Sequence, residues 1–241
     1  MLLFNEKIIY VHIPKTGGSA IESFLIQYFG YHKLQHPIFL LTSGLVQHPK
    51  FVGANVGHRN LQHFSLTEIV DNCRLFAPDL KEYDAFTVVR NPYTRAMSCL
   101  RYQMSLPFTM HGHSLYSPEE KRYILNISLP RFFKEDPMLN DWGQHRLPQS
   151  HFIDTTDVIC KIFKYEDGLE NAIKNGITQH QIKIPEKGIP KVNDVSEKKN
   201  IPKINPTEYY SRTFIETINN FYEDDFVYFG YEMLNPLDFE D

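Results

Sequence analysis

The apolar positions of this chain fall into short unbroken runs, separated by stretches in which they recur at helical spacing. Ile8-Ile9-Tyr10-Val11 leads into Ile13, the kind of continuous run that a buried parallel strand carries. Beyond a glycine-bearing turn, Ile21, Phe24, Leu25 and Tyr28 share one helical face, with Ser19 as the expected cap and Gly30 as the stop. Residues 31–50, rich in His, Pro and Gly, read as a loop, and 51–56 as the next strand, ending at Gly57-His58. Ser65 and Glu68 have the spacing of a capping box and predict a short helix. Residues 85–89 form a second clear strand. Pro92 suits the first turn of a following helix, continued by Tyr93, Met97, Leu100 and Met104. Residues 105–120 read as irregular, 122–133 as helical, 158–163 as a further strand and 169–174 as a helix. Tyr210, Phe214, Ile218, Phe221 and Tyr222 mark one last amphipathic helix. Alternating strands and helices, with no repeat and no linker, predict a single α/β domain over residues 1–241, built on a doubly wound parallel sheet.

Charge and composition narrow the partners. A net charge of −4 argues against a broad nucleic-acid-binding face, so an anionic ligand needs a local basic pocket. Three cysteines, Cys73, Cys99 and Cys160, allow one disulfide at most and suit a reducing compartment. The N-terminal residues lack a signal-peptide pattern, and no apolar run approaches the roughly 20 residues that span a bilayer. The expectation is a soluble chain without a membrane span.

The chemistry is concentrated at two strand ends. Directly after the first run comes His12-Ile13-Pro14-Lys15-Thr16-Gly17-Gly18-Ser19. Two adjacent glycines let backbone N–H groups turn inward, the helix start adds partial positive charge, and Lys15 adds a full one. A phosphate or sulfate group is the natural occupant. The order excludes a Walker A loop, whose lysine follows its glycines. The plain alternative is a strand-to-helix turn with an exposed lysine. A second strand end repeats the scheme as Thr87-Val88-Val89-Arg90-Asn91-Pro92-Tyr93, with Arg95 and Ser98 beyond. Two cationic strand ends suit two separate phosphates, because ligands of open α/β sheets sit at the carboxyl ends of the strands. The alternative is that Arg90 and Arg95 pair with surface acids.

Together these motifs resemble the carbohydrate sulfotransferases of the family that includes heparan sulfate 2-O-sulfotransferase. The loop at 12–19 looks like that family's 5′-phosphosulfate loop, and the segment from Val88 to Ser98 like its 3′-phosphate motif. Gly57-His58, Gln149, the Pro190-Lys191-Val192-Asn193 loop and the segment from Tyr222 to Tyr231 are similar to further family positions. Ser19-Ala20 departs from the common threonine-serine pair but keeps the first hydroxyl.

The resemblance implies a P-loop-NTPase-like fold and a sulfuryl transfer from 3′-phosphoadenosine 5′-phosphosulfate to a hydroxyl of a carbohydrate or related acceptor. It also implies attacking and leaving oxygens roughly in line, and no metal. Lys15 then neutralises the leaving oxygen. The N–H groups of Thr16, Gly17, Gly18, Ser19 and Ala20, with the Thr16 and Ser19 hydroxyls, hold the 5′-phosphate. Arg90 and Ser98 hold the 3′-phosphate, and Asn193 belongs to a flap near the donor. His58 is the expected general base, since imidazole is matched to that task near neutral pH, with His63 as second candidate. His12, inside the strand, is expected to be structural. Residues 183–206 carry many lysines and read either as a solvated face or as a flap over an anionic ligand. The pair His111 and His113, with His145 and His151, lacks the tight four-ligand spacing of structural zinc. Two other readings stay open: a P-loop-type kinase, and a non-catalytic nucleotide- or glycan-binding protein. The expected location is cytoplasmic, with a lumenal domain as the alternative.

Overall fold

The computed structural model describes residues 2–3, 5–30, 63–74, 79–104, 143–154, 156–190, 207 and 210–240. The strand expected at 51–56, the helix expected at 122–133, and His58, His111, His113 and Asn193 lie outside the described residues. The chain divides into two compact units, Met1–Arg90 with Gln149–Val192, and Asn91–Pro148 with Asn193–Asp241.

The first unit is built on a sheet. Among the described residues it has four strands in the order β1 (Leu2–Leu3), β2 (Ile8–Val11), β3 (Asp84–Val89) and β4 (Cys160–Lys164). β2, β3 and β4 run parallel, in a register that sets Val11 beside Thr87 and Thr87 beside Ile162. β1 turns back antiparallel against β2, a pairing too short to stand out in the hydrophobic pattern. β2 and β3 are buried along their whole length, β2 as an unbroken apolar run and β3 with the polar groups of Asp84 and Thr87 hydrogen-bonded inside.

Helix α1 (Gly18–Tyr28) and helix α2 (Leu66–Cys73) follow. α2 opens with the expected capping box: the Ser65 hydroxyl accepts from the Glu68 N–H, and the Glu68 carboxylate from the Ser65 N–H. α1 differs from expectation at its start. Its cap is Gly17, in the left-handed region at φ 87°, so Ser19 already lies inside the first turn. Ile21, Phe24 and Leu25 of α1 pack with Ile8, Tyr10, Phe86 and Val88 of the sheet and with Ala172 and Ile173 of helix α3 (Leu169–Gly176). Each valine, leucine, isoleucine or phenylalanine among them contributes about 1.5–3 kcal/mol on burial. α3 ends so close to the sheet that a Cβ on Gly176 would meet the Phe86 ring at 2.6 Å.

Asp84, at the foot of β3, fastens the chain that leaves α3. Its carboxylate accepts the Thr178 N–H at 2.6 Å, the Thr178 hydroxyl at 2.8 Å, the Gln179 N–H at 2.8 Å and Lys161 Nζ at 3.2 Å. Burial pushes this carboxyl's pKa up, but the hydrogen bonds from Gln179, Thr178 and Lys161 outweigh it and hold the pKa below the usual value.

The second unit is helical where it is described. Helix α4 (Pro92–Met104) begins at Pro92 as the sequence predicts, and its first N–H groups are met by the Asn91 side chain. Tyr93, Met97 and Leu100 pack against Phe214, Ile215, Ile218, Tyr222 and Phe226. The expected last helix is α5 (Arg212–Phe221), and after Tyr222 a further short helix, α6 (Glu223–Phe229), follows that the apolar pattern does not predict. The buried Tyr222 hydroxyl donates to the Arg146 carbonyl at 2.8 Å, which accounts for a tyrosine at that point of the apolar stripe. The strand expected at 158–163 runs from Cys160 to Lys164 instead, with Val158 buried and Ile159 87 % exposed before it begins.

Candidate functional site

At the end of β2 the chain makes a turn that ordinary residues resist. Lys15 has φ 69° and Gly17 φ 87°, so two left-handed residues flank Thr16. Glycine adopts this region without penalty, whereas a lysine there costs about 1 kcal/mol. Alternation of this kind draws successive N–H groups toward one concavity, an arrangement suited to an anion. The Ala20 N–H already donates to the Gly17 carbonyl at 3.0 Å, so the N–H groups before it are those best placed to serve a ligand. Thr16 differs from expectation. It is fully buried, and its hydroxyl donates to the Ile13 carbonyl at 2.9 Å, bracing the turn from beneath. What Thr16 can offer a ligand is its N–H.

A buried polar group, whose arrangement no motif announces, supports the turn. The His12 ring occupies the space where a Cβ on Gly18 would stand, 2.2 Å from Cδ2 and 2.3 Å from Nε2. Gly18 is therefore a glycine of close approach. His12 Nδ1 lies 3.1 Å from Glu22 Oε1, with both side chains almost wholly buried. His63 Nδ1 lies 3.0 Å from the His12 carbonyl, and since a carbonyl only accepts, that nitrogen carries the hydrogen. The two imidazoles meet edge to face at 4.7 Å. Tyr10 closes the group from below, its phenol pKa pushed well up by burial and further by the Glu22 charge.

The neighbouring end of β3 is held differently. Arg90 donates from its backbone N–H to Gln149 Oε1 at 2.8 Å, and its carbonyl accepts from Gln149 Nε2 at 2.8 Å. The Arg90 side chain reaches back to the β2 loop, with Nη1 3.3 Å from the Lys15 carbonyl oxygen. Its guanidinium carbon stands 4.6 Å above the centre of the Tyr165 ring. Tyr165 in turn lies beside the loop, where a Cβ on Gly17 would meet Leu169 Cδ1 at 2.8 Å and Tyr165 Cε2 at 3.2 Å. The Lys15 backbone and the Arg90 side chain thus meet at one end of one sheet.

In the second unit Ser98 lies half-buried on α4. Arg95 is fully buried there and donates through Nη2 to the carbonyls of His145 at 3.2 Å and Leu147 at 3.0 Å. These carbonyls, rather than the surface acids of the alternative reading, are what its Nη2 meets, so its charge serves the interior. Cys99 likewise points its thiol at the His145 carbonyl, at 3.2 Å. Burial pushes the Cys73 thiol up to about 11 and the Cys160 thiol up to about 12, far from the range of a thiolate nucleophile. Among the described residues no group of three or more His, Cys, Asp or Glu side chains is placed to hold a metal ion.

A basic loop and a basic strand end sharing one edge of a parallel sheet suit many anion-handling enzymes, and comparison with known proteins narrows the choice. The sequence pattern of the sulfotransferase family matches residues 4–232. The chain belongs to the sulfotransferase family. It is thereby an enzyme of sulfate transfer, with the α/β fold of a largely parallel sheet flanked by helices. Neither the curated proteins nor the solved structures compared with this sulfotransferase gave a match. Among its described residues no helix is long and apolar enough to cross a membrane.

Proposed function

We propose that this sulfotransferase moves a sulfuryl group from 3′-phosphoadenosine 5′-phosphosulfate to a hydroxyl of a carbohydrate or related acceptor. The observation that carries the reading is the approach of Arg90 Nη1 to the Lys15 carbonyl at 3.3 Å, which puts two cationic residues from adjacent parallel strands at one edge. Such a donor bears anionic groups at both ends of one adenosine. The residues fit it: the loop N–H groups and Lys15 suit the 5′ end, and the Arg90 guanidinium suits a phosphate at the other.

When bound, the donor supplies the activated sulfuryl group. The N–H groups of Thr16, Gly17, Gly18 and Ser19 bind the 5′-phosphate, joined by the Ser19 hydroxyl. Lys15 stabilises the charge that grows on the departing oxygen, the kind of fixed electrostatic help that accounts for much of enzymatic rate. Arg90 binds the 3′-phosphate. On the family resemblance, Ser98 and Asn193 assist donor binding, and His58 takes the acceptor's proton, an assistance worth roughly 10²–10⁴-fold in rate.

A thermal-shift comparison tests the reading, because a ligand that prefers the folded state raises its melting temperature. 3′,5′-Diphosphoadenosine is expected to stabilise the protein more than ATP or AMP at equal concentration. Equal shifts, or a preference for ATP, would overturn it in favour of a kinase-like or general nucleotide-binding protein.

A further inference from the structure

Gln149 is far from Arg90 in sequence, yet it treats that residue as a strand partner would. Its side-chain amide meets both backbone groups of Arg90 at 2.8 Å, one accepting and one donating. It does so from full burial, where an unmet amide would be costly. Arg90 is the residue at which the chain leaves the first unit, and Gln149 is the residue at which it returns. The described ladder of β3 ends at Val89, and the backbone of the next residue meets the Gln149 amide on both its N–H and its carbonyl. Gln149 thus fixes that backbone.

We infer that Gln149 is a positioning residue for Arg90, and that it sets the enzyme's preference for a nucleotide carrying a 3′-phosphate. The side chain of Arg90 spans from its fixed backbone to the Lys15 carbonyl and over the Tyr165 ring. Freeing the backbone at position 90 moves the root of that span. A long flexible side chain with a mobile root loses much of its advantage in gripping a phosphate, because the ordering must then accompany binding. Gln149 does not need to touch the nucleotide for this. The inference rests on the proposed role of Arg90 at the 3′-phosphate.

The experiment compares dissociation constants for 3′,5′-diphosphoadenosine and for AMP, which lacks the 3′-phosphate, in wild type, Arg90→Ala, Gln149→Met and the double variant. Methionine keeps the length and volume of glutamine and removes both hydrogen bonds. The wild type is expected to prefer the diphosphate, and Arg90→Ala to erase the preference. Gln149→Met is expected to lower it about tenfold while leaving AMP binding unchanged, the loss of one charge-assisted contact. In the Arg90→Ala background, Gln149→Met should then change the ratio no further. A wild type without the preference would overturn the reading of Arg90 itself. A preference that disappears in Arg90→Ala but persists in folded Gln149→Met would overturn the role of Gln149 alone. If Gln149→Met fails to fold, Gln149→Glu, which keeps an acceptor for the Arg90 N–H but loses the donor, reads the same ratio. Failure of both to fold would reduce Gln149 to a stability residue and overturn the inference.

Discussion

The ends of β2 and β3 stand side by side and are built on opposite plans. The β2 end is made of its own backbone. Two left-handed residues, a glycine pressed on an imidazole and a hydroxyl turned onto the Ile13 carbonyl hold it, all within a few positions of each other in sequence. The β3 end is made by a visitor, the Gln149 side chain, which arrives from a distant part of the chain. The first plan places N–H groups and tolerates almost no added atom. The second places one long cationic side chain and depends on two hydrogen bonds. A local turn is readable as a motif, whereas the partner of a borrowed side chain is chosen only by the folded chain.

The sharpest break of that comparison is at Lys15. Lys15→Ala removes the charge while leaving the turn's N–H groups in place, and transfer is expected to fall by about 10²–10³-fold with the melting curve little changed. Activity near wild type would take Lys15 out of the chemistry and leave only its backbone in the site.

Next comes the steric contact. Gly18→Ala sets a methyl about where the His12 ring already stands, so a destabilisation of roughly 1–3 kcal/mol is expected in urea unfolding, with weakened diphosphoadenosine binding. Adding His12→Ala should return part of the lost binding, because it empties the space the methyl needs. Strict additivity of the two would show that the contact does not shape the turn.

The foot of β3 supplies a control away from both ends. The Asp84 carboxyl is held below its ordinary pKa, so its bonds stabilise the fold above the unfolded value and are lost as pH falls through the folded one. Wild type should therefore lose stability below about pH 4, while Asp84→Asn should flatten that slope and cost about 2 kcal/mol at neutral pH. Diphosphoadenosine affinity should stay as it was; a change there would mean the two ends of the strand communicate.

The smallest effect is expected from Thr16→Val, which deletes the inward hydroxyl and leaves the Ile13 carbonyl short of one donor. A cost of about 1 kcal/mol in unfolding is expected, with the binding ratio of diphosphoadenosine to AMP unaltered. A changed ratio would give the Thr16 hydroxyl a direct part in binding.

How much of this was legible beforehand follows from the same contrast. Unbroken apolar runs gave β2 and β3, and local capping chemistry gave the start of α2 at Ser65 and of α4 at Pro92. The glycine pair marks the left-handed turn after β2. At the start of α1 sequence preference points to Ser19, because serine is the commoner cap, while the left-handed Gly17 takes that position. Ile159 belongs to the apolar run yet is exposed before β4 begins, because hydropathy alone does not tell a buried isoleucine from an exposed one. The His12–Glu22 contact and the Gln149 clamp carry no periodic signal, since each joins polar residues whose partner is chosen by the folded chain.

The two bonds between Arg90 and Gln149 also close a loop of the chain, since residues 91–148 leave and return through one pair of fastened residues. Closure entropy grows only with the logarithm of length, so doubling the chain between them adds about 0.6 kcal/mol. Lengthening that segment therefore costs little at its two fastened ends, provided that the packing of Tyr93, Met97 and Leu100 against α5 and α6 is kept.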